Sequence, residues 1–255
     1  MKERCWKTYF QSLNMKKKIF KISLLVLLML PMIALAHFWA FPEETRCILI
    51  RFSDFEKKEN VYFRKDCSKT ELDKLFQLET TAANRVKSFW GNKTVFDYSI
   101  IYCNTQTDFN HYGHVGVPAA TQLKCGAYIV LQEESLDKDI IAHEMAHTVL
   151  YNNIGWYKTK FKIPTWFDEG LAMQVDDRDY YSIDSLLAKQ QQGLKLPDIR
   201  MYEKPAAFFS GTGEEIMLHF STAKYAVHEW LKTHSLEKFI DAMNNGKDFE
   251  EAWKQ

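Results

Sequence analysis

The pattern of apolar and polar positions divides the chain into three stretches. From Ile22 to Phe41 no charged residue occurs (ISLLVLLMLPMIALAHFWAF). As a helix this run is about 30 Å long, the thickness of a bilayer's hydrocarbon core. Beyond it the periodicity is that of a folded body. Arg46–Phe52 (RCILIRF), Val61–Arg64, Thr94–Tyr102 and Gly126–Gln132 are short runs rich in β-branched and aromatic residues and read as strands. Between Lys69 and Trp90, residues Leu72, Leu75, Phe76, Leu78, Ala82, Ala83 and Val86 recur near a 3.6 period and predict a helix. A polar loop with Gly113, Gly116 and Pro118 precedes 126–132. From Leu136 onward the pattern is mostly helical, over 136–151, 166–176, 182–192, 213–233, 235–244 and 248–254.

Strands first and helices later predict an α+β body, with a small β-rich N-terminal lobe (about 42–151) and a mostly helical C-terminal lobe (about 152–255). With 46% hydrophobic and 26% charged residues, the composition is that of an ordinary globular protein.

Charge changes the picture at the N-terminus. The formal net charge is zero, but seven of the 33 Lys/Arg and only one of the 33 Asp/Glu lie in residues 1–41, leaving −6 on 42–255. An acidic body argues against nucleic acid as a partner. The basic residues Lys16, Lys17, Lys18 and Lys21 abut the apolar run, which predicts a cytoplasmic segment (1–21), a membrane anchor (22–41) and a body outside. Ala34-Leu35-Ala36 also offers a cleavage site, and the alternative is a body released after Ala36. Cys47, Cys67, Cys103 and Cys125 fall in the exported part. Two disulfides are expected there from the oxidising compartment.

The chemistry concentrates at His143-Glu144-Met145-Ala146-His147. Two histidines four apart on a helix lie about 40° apart and can reach one ion. Glu144, beside them, can take a proton from water. Ser135 or Asp137 can cap this helix. A catalytic zinc needs a third protein ligand and one open position. Pro164-Thr165-Trp166-Phe167-Asp168-Glu169-Gly170-Leu171-Ala172 offers Glu169 in the first turn of another helix. Thr165 and Asp168 read there as a capping box. Asp168 can alternatively orient a ligand histidine. Gly170 and Ala172 are small enough for close approach to the motif helix. The strand 126–132 reads as an exposed edge onto which an extended peptide can add.

HEMAH followed by PTWFDEGLA resembles the gluzincin branch of zinc peptidases, in its compact bacterial envelope form with an M1-aminopeptidase-like core, over roughly 125–250. The resemblance implies a zincin-like fold with the metal site between the lobes. It implies Zn2+ held by His143, His147 and Glu169, Glu144 as general base, and a peptide or protein substrate. It places Gly126-Ala127-Tyr128-Ile129 at the substrate-aligning edge strand and makes Tyr225, in FSTAKYAVHEWL, the best candidate for the oxyanion-binding tyrosine, although the family's tyrosine falls nearer Phe220.

The chain departs from the pattern in two ways. The spacer between His147 and Glu169 is 21 residues, a few longer than in the aminopeptidases. No acidic GxMEN-type anchor for a free amino terminus occurs in 125–132, so an endopeptidase is expected. The metzincin pattern fails at Leu150 and Asn153. The reading is a zinc metallopeptidase; the alternative is an envelope binding module that keeps the fold without proteolysis. His228 and His234 are six apart, on different helix faces, and His111 and His114 read as loop residues.

Overall fold

In the computed structural model, described for residues 2–91 and 94–255, the chain is mixed α and β and falls into two units, 1–45 and 46–255. The first unit is dominated by helix α1 (Lys2–Ala40). Its part Phe20–Ala40 is long and apolar enough to cross a membrane, a property it would share with a signal sequence. Helix α2 (Pro42–Leu49) opens with Glu43 and Glu44 in its first turn and continues as a 3-10 turn through Phe52. The strand expected over 46–52 is therefore helical: the acidic pair at the helix start complements the helix dipole.

The body is built on a five-stranded sheet of β1 (Glu56–Lys58), β2 (Val61–Phe63), β3 (Ser99–Cys103), β4 (Ala119–Gln122) and β5 (Tyr128–Gln132), ordered β1-β2-β3-β5-β4. β2, β3 and β5 run parallel; β1 and β4 are antiparallel to their neighbours and form the two edges. The central strands bury both faces, as near-continuous apolar runs do. Val61, Phe63, Ile100, Tyr102, Ile129 and Leu131 point to one core; Tyr62, Ile101, Cys103 and Val130 point to a second, with Phe55, Phe109 and Tyr112. Helix α3 (Lys69–Trp90) covers the first face, and α4 (Gln106–Tyr112) supplies Phe109 and Tyr112 to the other.

Helix α5 (Lys138–Ile154) packs against α3 and carries the HEMAH motif. It is followed by α6 (Trp156–Phe161), α7 (Thr165–Ala172), α8 (Ile183–Gln191), α9 (Pro205–Phe208), α10 (Gly213–Leu231), α11 (Leu236–Asn244) and α12 (Phe249–Ala252). A tight aromatic group of Trp166, Phe167, Trp230, Phe239, Phe249 and Trp253 closes this helical half.

Three expectations change. The strand 126–132 is not an edge: β4 covers it, and β4 is the edge. The segment Ala-Ala-Thr-Gln carries too few β-branched or aromatic residues to announce a strand. Gly170 serves close approach to α10, not to the motif helix. A Cβ there would lie 2.6 Å from Val227 Cγ2 and 2.7 Å from the Ala223 carbonyl oxygen. Among the described residues, the four body cysteines form no disulfide. Cys47 and Cys103 lie in the second core, Cys67 packs against the first, and Cys125 is exposed.

Candidate metal centre

Asp137 starts α5, accepting hydrogen bonds from the backbone N–H groups of Asp139 (2.7 Å) and Ile140 (3.3 Å). Asp139, in the first turn, is held by Arg85 of α3, which also donates to the Val175 carbonyl (3.0 Å). Arg85 thus ties α3, α5 and the turn after α7 together. Gly155, at φ +83°, ends the helix where an L side chain would be strained. With Ile141, Ala142, Met145, Ala146, Val149 and Leu150 buried, the helix is fixed in rotation. His143 and His147 are set on one face.

Helix α7 brings up Glu169. Pro164, not Thr165, occupies its N-cap, with no side-chain cap, so Asp168 is free of the capping box expected for it. Its carboxylate instead accepts from His147 Nδ1 at 2.8 Å. In the neutral imidazole this assigns the proton to Nδ1 and the lone pair to Nε2, the nitrogen that faces Glu169. His143, His147 and Glu169 are each less than a tenth exposed and form a group that could hold a metal ion.

The three donor atoms form a nearly regular triangle. His143 Nε2 is 3.3 Å from His147 Nε2 and 3.3 Å from Glu169 Oε2; His147 Nε2 is 3.6 Å from Glu169 Oε2. A point about 2.0 Å from all three exists, the distance at which zinc binds imidazole nitrogen and carboxylate oxygen. The donor set therefore fits zinc in spacing and in kind.

The electrostatics agree. Burial pushes the Glu169 carboxyl up, but the charge on His147 and the hydrogen bonds from both imidazoles outweigh it and bring the group down to about 2. Burial pushes the His147 imidazole down, and the carboxylates of Asp168 and Glu169 overcome this and hold it well above the usual histidine range. Glu169 is a buried negative charge whose stability requires positive charge against it.

Two residues that no spacing rule pointed to complete the surroundings. Asp176, fully buried, lies with its Oδ2 3.7 Å from His143 Nδ1, a buried nitrogen with no hydrogen-bond partner. Arg178 holds that carboxylate through Nε (2.9 Å to Oδ1) and Nη2. Thr121, on the edge strand β4, donates its hydroxyl to the Glu144 carboxylate. The strand therefore passes directly beside Glu144. No periodicity or motif marks either residue; only the fold brings them here.

On α10 the ring beside His143 is that of Phe220, with centroids 6.1 Å apart. Five residues on along α10, Tyr225 is turned about 140° away. A tyrosine on this side is Tyr181, whose ring is 5.8 Å from Phe220. Burial pushes its phenol up to about 12, so it is a donor at neutral pH. His234 stacks on Trp230 and takes no part; His114 Nε2 lies 3.5 Å from Gln122 Nε2 on β4.

No protein-family model matches this chain, and no curated protein matches its sequence.

Proposed function

We propose that the chain is a zinc-dependent peptidase of the gluzincin type with a zincin-like fold, its catalytic body exported and held at a membrane by α1. The observation that carries this reading is the triangle of His143 Nε2, His147 Nε2 and Glu169 Oε2, with Glu144 on the next helical position and an open sheet edge alongside.

Those three atoms would hold the ion. Zinc, when bound, supplies a Lewis acid that polarises a carbonyl and lowers the pKa of water toward about 7. The remaining work falls to the chain. Glu144 accepts a proton from water on its carboxylate and returns it to the nitrogen of the leaving amine. The Thr121 hydroxyl fixes the orientation of that carboxylate. Asp168, and Asp176 at longer range, take the Nδ1 side of the two imidazoles, which keeps Nε2 available. An extended peptide adds to the outer edge of β4, so its backbone runs past Glu144. Neither 119–122 nor 125–132 contains an acidic residue to anchor a free amino terminus, which favours an endopeptidase. Tyr181 is our candidate, in place of Tyr225, for the phenol that donates to a developing oxyanion.

The test is elemental analysis of the purified full chain beside Glu169→Ala and Glu144→Gln, with turnover measured on a peptide library. One zinc per chain, lost in Glu169→Ala and retained in an inactive Glu144→Gln, is expected. A chain that takes up no zinc on reconstitution, or a Glu144→Gln variant with full activity, overturns the reading.

A further inference from the structure

We propose that α6 and the residue after it, Trp156–Lys162, form a second, headgroup-level contact with an anionic lipid bilayer. The proposal rests on the reading of α1 as a retained membrane helix, which keeps the body within reach of a bilayer surface.

The segment interleaves aromatic and basic residues. From Met145 to Phe167 there is no acidic residue, yet Lys158, Lys160 and Lys162 fall there, in a body whose net charge is −6. Thr159 is the buried residue of α6 and marks the side that faces the core. At 100° per residue, Tyr157 and Phe161 each lie about 160° round from Thr159 and project straight out. Both are 59% exposed, and their rings are 5.4 Å apart. Lys158 and Lys160 flank this pair on either side, about 60–100° round the helix. Lys162 Nζ lies 6.0 Å over the Tyr157 ring, and Lys124 Nζ lies 4.7 Å over Trp156. Among the described residues, Lys158, Lys160 and Lys162 have no acidic partner; Lys158 donates to Asn244 Oδ1 at 3.0 Å.

Large aromatics left in water are a cost that a folded body ordinarily avoids. An outward aromatic pair with lysines on both sides matches the lipid interface, where amphipathic rings sit at headgroup depth and ammonium groups meet phosphate. The charge selects the lipid. Three lysines without an acidic partner gain little from a neutral surface and much from an anionic one. A short helix presenting four to six residues suits a contact that orients a tethered body rather than one that anchors it.

The test is hydrogen exchange on the full chain in nanodiscs of phosphatidylcholine alone, of phosphatidylcholine with phosphatidylglycerol, and in detergent. Exchange across 155–163 is expected to slow at least about ten-fold in the anionic discs. The slowing should be lost in the triple variant Lys158→Glu, Lys160→Glu, Lys162→Glu and in Tyr157→Ser/Phe161→Ser. Exchange that is equal in all three settings, while 20–40 is protected in both kinds of disc, overturns the proposal. So does protection that follows protein concentration in detergent, which would mark a second copy as the occupant. Protection of 20–40 reports the anchor, and zinc content reports the metal centre and the folded state of each variant. Failure of this contact is thereby separated from failure of the catalytic reading.

Discussion

The body buries several carboxylates, and they are treated in two different ways. Asp108 is gripped by Arg64 through Nε (2.9 Å) and Nη2 (2.5 Å), and Asp139 is met by Arg85. Each has a guanidinium that never loses its charge. Glu169 is as buried as these, but its ion pairs among the described residues are with two imidazoles only. The first group is neutralised by design and needs nothing further. Glu169 is balanced by groups that can hand their positive charge over to a cation. Buried acids answered by arginine are architecture, and the one answered by histidines is a site.

That contrast can be broken from either side. The largest effect is expected at the site itself. Glu144→Gln should lower kcat by about 10³-fold while leaving zinc content unchanged, because proton transfer fails and the ligands stay. Glu169→Ala should lose the metal outright in the same elemental analysis. Next comes Asp176→Asn, which removes the carboxylate facing His143 Nδ1. Zinc affinity, measured by competition with a chelator, should fall about 10–100-fold.

The architectural group should respond in stability and not in metal content. Arg64→Met is expected to cost about 1–3 kcal/mol in urea denaturation, discounted because the Arg64 side chain is partly exposed. Its hydrogen bonds hold the Asp108 carboxyl below its ordinary range. A depressed carboxylate stabilises the fold above its unfolded pKa, near 3.9, and that contribution is lost as pH falls through the lower folded value. Asp108→Asn should therefore flatten the acid limb below about pH 4 relative to the parent. The smallest effect belongs to Thr121→Val. A several-fold loss in kcat at unchanged zinc content, recovered by Thr121→Ser, would mark the hydroxyl as a positioning group for Glu144.

What could be read from the sequence follows the range of the interactions. The helix over 69–90 was legible to the residue from its apolar period, a local signal, and the structure adds a capping box of Ser68 with Glu71 at its start. The two histidines were legible because four residues of helix suffice to place them together, and Glu169 because a helix start follows Pro164. The edge strand was not. Ala119–Gln122 becomes a strand only because β5 offers it a partner, and small residues do not announce that. Asp176 and Thr121 act across elements, so nothing at fixed spacing marks them. Asp168 shows the same limit in another form. Capping and imidazole orientation were both available to it locally, and the position of α5 decided between them. The expected disulfides were inferred from compartment alone; the packing puts Cys47 and Cys103 in one core without a bond between them, Cys67 against the other core, and Cys125 at the surface.

Gly170 carries a further consequence. Because α7 has no side chain there, its backbone rests against Ala223 and Val227 of α10, and the neighbouring Glu169 inherits a fixed height above α5. His147 is independently held by Asp168, and α5 by its buried faces. Glu169 and His147 are therefore braced by protein and His143 is carried on a fixed helix, and little apolar surface remains to be covered when the ion arrives. Loading followed by titration calorimetry at several temperatures should show a heat-capacity change near zero, the thermal signature of an ion seating in a finished socket rather than of a chain folding around it.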